Sequence, residues 1–342
     1  MKTVRSYAPF GTRPGYHTTD GLTEGETIRA VMAQSHLPRA WDVEGVRNYL
    51  ARCPDGLHTC FAGIHAIPPG HDLVQTEDRY EIRPSPISPK ANKTLAELLE
   101  QSVARLLADG KRAAVALSGG LDSALLVAIL RRLGRDDIPV FTLTSGLPGY
   151  CERNLTSQTA KLLGVENLQV IDTDEAQWIA AFPEVIAAAE VPLFNLHPVH
   201  RWLLAQALRQ QGYEVLLTGD GADQVFAGSD PRNYLPIIGA LTRSAGLELR
   251  SPFFDEALLA TAPVPTPDKS ALREVARTWL PEALITRPKT ATYAPDLDLS
   301  AYWNETAIHR LARQLNLQAP QSAVNAETTL WTSLGLLADF LN

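Results

Sequence analysis

Ala113-Ala114-Val115-Ala116-Leu117-Ser118-Gly119-Gly120-Leu121-Asp122-Ser123 is the stretch that decides the fold. An apolar, β-prone run stops at Ser-Gly-Gly, and a helical pattern follows from Leu121 to Leu133. That is a buried strand, a tight turn and a helix N-terminus. Two glycines let backbone approach a ligand at φ values other residues avoid. The first helical N–H groups lack intrahelical partners and carry the positive end of the helix dipole. Together they cradle an anion, most often phosphate. Ser118 and Ser123 add hydroxyl donors, and Asp122 can hold a divalent cation between phosphate oxygens. A plain strand-to-helix turn with a serine cap is the bland alternative. The whole Ser-Gly-Gly-Leu-Asp-Ser string favours phosphate.

The string resembles the pyrophosphate-binding loop of the N-type ATP pyrophosphatases, which release pyrophosphate and leave AMP on the substrate. No Gly-Lys-Ser/Thr closes it, so it is not a Walker A loop, and it lacks the Rossmann glycine pattern. Several families share such a loop, and the rest of the chain chooses among them.

The bulk properties set bounds. The chain has 342 residues, 45% hydrophobic and 20% charged, as expected of a soluble globular protein of one large or two modest domains. No apolar run approaches membrane-spanning length, and no signal-peptide pattern opens the chain. Cys53, Cys60 and Cys151 are scattered, with no His or Cys cluster beside them, and read as free thiols in a reducing cytoplasm. The net charge of −7 weighs against a nucleic-acid-binding face.

Outward from the loop, strands alternate with helices. A helix over Leu95–Leu107 leads into the first strand. Val140–Thr144 reads as a second strand, Glu152–Leu163 as a helix closed by Gly164, and Leu168–Ile171 as a third strand. A long helix, His197–Gln210, precedes a fourth strand, Glu214–Thr218. Alternation of this kind means an α/β fold, a doubly wound parallel sheet covered on both faces, with ligands at the carboxyl ends of its strands. Nearer the start, residues 1–40 read as loops with one short helix at Gly25–Gln34. Trp41–Leu50 reads as a helix and Thr59–His71 as strand, turn and strand. Residues 83–92 form a Pro/Ser-rich linker. At the other end, two amphipathic helices, Leu299–Leu315 and Ala326–Leu341, are expected to pack on the sheet.

The fourth strand ends in Gly219-Asp220-Gly221-Ala222-Asp223-Gln224-Val225-Phe226-Ala227-Gly228, a second glycine-bearing turn with two acids three residues apart. Asp223 is the better partner for Asp122 in holding Mg²⁺, since that ion is commonly shared between carboxylates and phosphate. An acidic capping turn is the bland alternative. This segment is similar to the Ser-Gly-Glu-Gly-Ala-Asp-Glu-Leu-Phe-Gly-Gly signature of asparagine synthetases, whose domain β-lactam synthetases and lasso-peptide cyclases share. Thr218 stands for Ser, Asp220 for Glu (or the Tyr of β-lactam synthetase) and Gln224 for Glu. Three more pieces follow in family order: Glu248-Leu249-Arg250-Ser251-Pro252-Phe253-Phe254-Asp255, Lys269-Ser270-Ala271-Leu272-Arg273, and Pro281…Arg287-Pro288-Lys289. Upstream, Thr59-Cys60-Phe61-Ala62-Gly63-Ile64 and Pro68-Pro69-Gly70-His71 resemble the close of the family's glutaminase half. That half uses a cysteine directly after the initiator Met, whereas position 2 is Lys2. The resemblance therefore implies a truncated glutaminase-like remnant over 1–88, a synthetase domain over 89–342 and no glutamine hydrolysis.

The resemblance also implies roles. ATP and Mg²⁺ are the expected cofactors. Leu117, Ser118, Gly119, Gly120, Asp122, Ser123, Leu143, Thr218 and Gly219 are expected around the nucleotide, and Asp122 and Asp223 on the metal. Lys289 and Lys269 supply cations at the reacting centre and pyrophosphate. Asp220 handles the acceptor amine, and Glu248 joins the catalytic set. Arg250, Arg273 and Arg287 read as supporting residues. Glu190 and Asp255 either orient an amine or form structural ion pairs. The implied activity is that of an AMP-forming amide synthetase acting on a small-molecule carboxylate and amine, in specialised-metabolite rather than asparagine supply. A lasso-type peptide cyclase and a nucleotide-binding subunit beside a separate glutaminase are the alternatives. No nucleic acid or membrane partner is expected, and a homodimer or pathway partner protein stays open.

Overall fold

A computed structural model describes residues 2–6, 10–75, 79–86, 89–147, 149–230, 234–288, 297–320 and 326–342. The first part of the chain alternates short elements: β1 (Lys2–Ser6), β2 (Tyr16–Thr18), β3 (Glu24–Gly25), α1 (Ile28–Gln34), α2 (Val43–Leu50), β4 (Ile64–Ala66), β5 (His71–Gln75) and β6 (Tyr80–Pro84). They build two antiparallel three-stranded sheets, β1-β5-β6 and β3-β2-β4. The loops expected over residues 1–40 thus give way to three strands. Two of these have only two or three residues, too short for alternation to show.

The central sheet follows. α3 (Leu95–Leu106) starts on a capping box in which Thr94 and Glu97 satisfy each other's backbone N–H groups. Next come β7 (Ala113–Ala116), α4 (Leu121–Arg132), β8 (Val140–Ser145), α5 (Arg153–Leu162), β9 (Leu168–Thr173), α6 (Glu175–Ala189), α7 (His197–Gln210) and β10 (Val215–Leu217). After them run α8 (Ala222–Ala227), α9 (Leu235–Ser244), β11 (Glu248–Arg250), α10 (Glu256–Thr261), α11 (Ser270–Ala276), α12 (Glu282–Ile285), α13 (Glu305–Leu315) and α14 (Ala326–Leu337). The sheet order is β11-β10-β7-β8-β9, parallel throughout. From β7 the chain winds outward through β8 to β9, then returns to the other side of β7 for β10 and β11. The carboxyl ends of β7 and β10 are therefore the topological switch point, where doubly wound sheets bind ligands.

Strand alternation divides the core into two. Ala114, Phe141, Leu143 and Leu216 face one apolar cluster with Trp178, Phe182 and Leu204 of α6 and α7. Ala113, Val115, Val140, Val215 and Leu217 face another with Leu125, Ile129 and Leu99 of α4 and α3. α4 is buried almost all round, from Ser123 to Leu130, as a helix in the middle of a covered face must be. The first cluster also takes in Tyr16, Ile28, Val31, Val46, Phe61 and Ile64, so the N-terminal segment shares a core with the sheet. α13 and α14 pack on each other and reach α2 and α6. They form an outer layer on helices rather than on the sheet itself.

Candidate active site

Everything at the switch point follows from two turns pressed together. Gly119 has φ +76°, and a Cβ there would stand 3.0 Å from the Leu155 side chain and 3.1 Å from the Thr156 nitrogen. Gly219 is glycine for another reason: a Cβ would lie 2.8 Å from both the Asp122 carbonyl carbon and the Ser123 nitrogen. Real Cβ contacts are not that close, so the turn after β10 rests on the start of α4 only without a side chain.

The loop after β7 is held from behind. Ser123 Oγ accepts from the Ser118 backbone N–H at 3.1 Å and lies 3.0 Å from Ser118 Oγ. Thr159 donates to the Gly119 carbonyl at 3.1 Å, and Arg287 Nη1 donates to the same carbonyl at 3.1 Å and to the Thr159 hydroxyl at 2.7 Å. Gly120, the N-cap of α4, brings no side-chain cap, in contrast to α3 and to α6, where Asp174 and Gln177 form a capping box. The positive end of α4 is thus open to an external anion.

In front of the loop stands Lys269. Its Nζ lies 2.6 Å from Asp122 Oδ2 and 2.8 Å from Asp223 Oδ1. One ammonium spans the two carboxylates that the sequence assigns to a shared metal. Burial opposes the charge on Lys269, but the two aspartates outweigh it and its pKa is raised. Lys269 also adopts φ +56° as the N-cap of α11, a left-handed conformation of the kind that collects at functional sites. Among the described residues no group of three or more His, Cys, Asp or Glu side chains gathers as a metal site. Two carboxylates with one ammonium between them keep a net charge of −1, and such hard oxygen donors would suit Mg²⁺.

A cavity of about 170 Å³ opens beside these groups, lined by Ser118, Asp122, Ser123, Arg201, Thr218, Gly219, Asp220, Asp223, Gln224 and Tyr234. Asp220 does not stand alone. Arg201 Nη2 donates to its Oδ2 at 2.8 Å, and Ser251 donates to its carbonyl at 2.6 Å. Thr218 is buried, and its hydroxyl lies 3.4 Å from the Asp220 nitrogen. Leu117 is buried, its N–H bonded to Phe141. The Leu143 carbonyl accepts from His200 Nε2 at 3.2 Å, and Leu143 lies outside the cavity lining. Burial, with Arg201 beside it, pushes the His200 pKa down to about 4, so this imidazole is neutral near pH 7.

One expectation needs correction, and for two further acids the structure selects between the readings left open. Glu248 is the first residue of β11, paired with Val215, the first residue of β10. In a parallel sheet that is the end away from the loops, about 10 Å along the strand from Ser251. Glu248 binds Lys111 and Arg250 at 2.8 Å each and lines a larger cavity of about 730 Å³ that contains neither acidic turn. Glu190 is likewise distant: its carboxylate accepts the Ile28 N–H and Arg29 Nε, the latter at 2.8 Å. Asp255 caps α10 and pairs with Arg105 at 2.5 Å. Both acids are structural. Arg250 ties β11 to Asp109, and Arg273 ties α11 to the Ile285 carbonyl. Lys289 lies outside the described residues. Sequence reasoning gave no role to Arg201 or Tyr234. The one signal for Arg201 is a charge directly before the apolar Trp202-Leu203-Leu204 run.

The asparagine synthase family model matches residues 94–240 and 231–331. An amidase, chyE, of Penicillium rubens is 27% identical over 254 residues, 65% of this chain and 37% of the relative. A glutamine-hydrolysing asparagine synthetase of Mus musculus is 24% identical over 276 residues, 69% of this chain and 46% of the relative. The chain spans little more than a third of the length of relatives such as chyE. An NH3-dependent NAD synthetase from Campylobacter jejuni aligns with 57% of this chain and 78% of its own at 15% identity, with a TM-score of 0.39. No helix among the described residues is long and apolar enough to cross a membrane.

Proposed function

Because this chain belongs to the asparagine synthase family, we propose that it is an ATP-dependent, AMP-forming carbon–nitrogen ligase. One observation carries the reading: Asp122 and Asp223, on turns from two adjacent parallel strands, converge on a single cation beside an uncapped helix N-terminus. The α4 N-terminus and Ser118 hold the β- and γ-phosphates. Asp122 and Asp223 would hold Mg²⁺, and the ion would neutralise charge on the departing pyrophosphate. A substrate carboxylate oxygen attacks the α-phosphorus, pyrophosphate leaves, and an amine then displaces AMP from the acyl carbon, giving up a proton. Lys269 moves from the aspartates to the phosphates as they arrive, and Lys289 is assigned to the reacting centre on its motif. Asp220 and Gln224 depart from the asparagine synthetase pattern, which supports a carboxylate and amine pair of specialised metabolism.

ATP–pyrophosphate exchange across a panel of carboxylic acids tests the reading. We expect acid-dependent exchange in the wild type and a loss of at least about 10²-fold in Asp122→Asn and Asp223→Asn, the scale of removing one group that stabilises transition-state charge. Full exchange in either variant would refute the shared-metal assignment.

A further inference from the structure

Three of the chain's eight histidines stand in one cross-strand row. β2 pairs with β4 so that His17 is opposite His65, and His58 is opposite His65 from the other side, in an isolated bridge. Residues directly opposite share a face of the sheet. The ring centroids of His17 and His65 are 5.9 Å apart, and those of His65 and His58 are 5.0 Å apart. Set in a row, the three do not gather around a point as metal ligands do. They differ in what their ring nitrogens meet. His58 Nδ1 lies 2.5 Å from Asp55 Oδ2, and its Nε2 lies 3.9 Å from Glu44 Oε2, so a proton on this ring is well received. His17 is only 9% exposed. Its Nδ1 donates to the Thr18 carbonyl at 2.8 Å, and its Nε2, shut off from solvent, has no hydrogen-bond partner. A proton there would be a second buried donor with nothing to receive it.

Acids border the row. Asp42, Glu44 and Asp55 act on His58, Asp42 and Asp55 also on His65, and Asp20 on His17; Glu24 of β3 is paired opposite His17. Among the described residues, though, the ion pairs of the row are those of His58 alone. α1, which packs on β2, β3 and β4, carries one charge, Arg29, and Glu190 takes it. Burial, then the charges of His58 and His17, hold the His65 pKa below its ordinary value, and burial does the same to His17. The Asp55 contact holds His58 above it. We propose that the row is a proton-sensitive latch: charging His65 and His17 beside an already charged His58 parts β2 from β4. Tyr16 and Ile64 of these strands belong to the core cluster on the central sheet, so the latch governs how firmly the N-terminal segment is seated. His17 and His65 refuse protons that they accept once the strands part. With an ordinary pKa of about 6.5 in the open state, each raises the opening equilibrium about tenfold between pH 7.5 and 5.5. His58 works the other way, because opening costs it Asp55, and offsets at most one of these factors. Opening therefore grows about 10- to 100-fold as pH falls through that range.

Hydrogen exchange read by mass spectrometry on the full chain, with rates corrected for the intrinsic effect of pH, tests the latch. In the wild type, protection of the β2 and β4 amides should fall about 10- to 100-fold from pH 7.5 to 5.5, through local opening rather than global unfolding. His17→Gln combined with His65→Gln keeps polar side chains in the row but takes up no proton. Its protection should fall by less than about threefold, or rise. Wild-type protection that holds at pH 5.5 overturns the proposal. An equal fall in the double variant places the cause elsewhere and overturns it as well. Where the double variant does not fold at pH 7.5, the ring resonances of His17 and His65 in the wild type decide. Titration at or above the ordinary value overturns the latch; titration below it, together with lost β2 and β4 protection, upholds it.

Discussion

Lys269 stands where a divalent ion would balance Asp122 and Asp223, 2.6 and 2.8 Å from them. The resting site therefore carries its own cation, and a metal entering without nucleotide has to displace a buried, raised-pKa ammonium. Lys269→Met removes that competitor. Mn²⁺ titration followed by electron paramagnetic resonance should show tighter nucleotide-free binding in the variant than in the wild type, while exchange activity falls roughly 10²-fold or more. Unchanged Mn²⁺ affinity would mean that the ammonium does not guard the site. His200 makes a second residue-level claim. Its folded pKa of about 4 lies below the ordinary 6.5 because of burial and then Arg201. Between those values the unfolded chain takes up a proton that the folded protein refuses. Stability is thus full above pH 6.5 and is lost as pH falls toward 4, by about 2 kcal/mol between pH 7 and 5. His197, also lowered by burial, adds in the same direction. His200→Gln can still donate to the Leu143 carbonyl and should flatten the urea midpoint's decline over that range. An equally steep decline would remove His200 as its cause.

The loop after β7 is positioned by elements distant in sequence, and this is where an element-level prediction belongs. Arg287, just past α12, holds the Gly119 carbonyl and the Thr159 hydroxyl of α5. Arg287→Ala leaves both without this donor and lets the loop drift. We expect KM for ATP to rise about tenfold, with kcat changed less and the thermal midpoint lowered by a few degrees, since Arg287 is only partly buried. An unchanged KM would make the contact incidental. Which elements were readable follows the same physics. α4, α7, β8 and β10 were legible because long apolar runs end at glycine, and α7 begins and ends where its pattern does. α6 is harder to read from the sequence, although Asp174 and Gln177 cap it as a box. Pro183 in its interior withholds one N–H and argues locally for a break, while Trp178, Phe182 and Val185 buried against the sheet hold the helix together. Glu248 shows the limit of motif reading. Its motif lies within the stretch that the family model matches, but only strand direction reveals that Ser251, rather than Glu248, reaches the site.

At the scale of the whole molecule, neither the strand order nor the path of the N-terminal segment could be read from local pattern, because both depend on which buried faces meet. The motifs suggested a remnant over 1–88 beside a synthetase domain over 89–342. The core runs between them. Ile28, Val31, Val46, Phe61 and Ile64 are each 1% exposed or less in the cluster that covers one face of the sheet, and Glu190 fastens α1 to the end of α6. A carbonyl from the segment, that of Thr12, also sits over Gly239 of α9 so closely that a Cβ would come within 2.0 Å of its oxygen. Burying five such side chains contributes on the order of 10 kcal/mol, comparable with the total stability of a typical domain. Removing residues 1–88 should therefore abolish cooperative unfolding and expose surface that binds the dye ANS, rather than release a working sheet. Glu190→Ala, which cuts one tie and leaves the apolar contact intact, should cost about 1–3 kcal/mol and keep the unfolding cooperative. A truncated chain that melts cooperatively near the full chain's midpoint would show that the sheet stands alone and that the shared core contributes little.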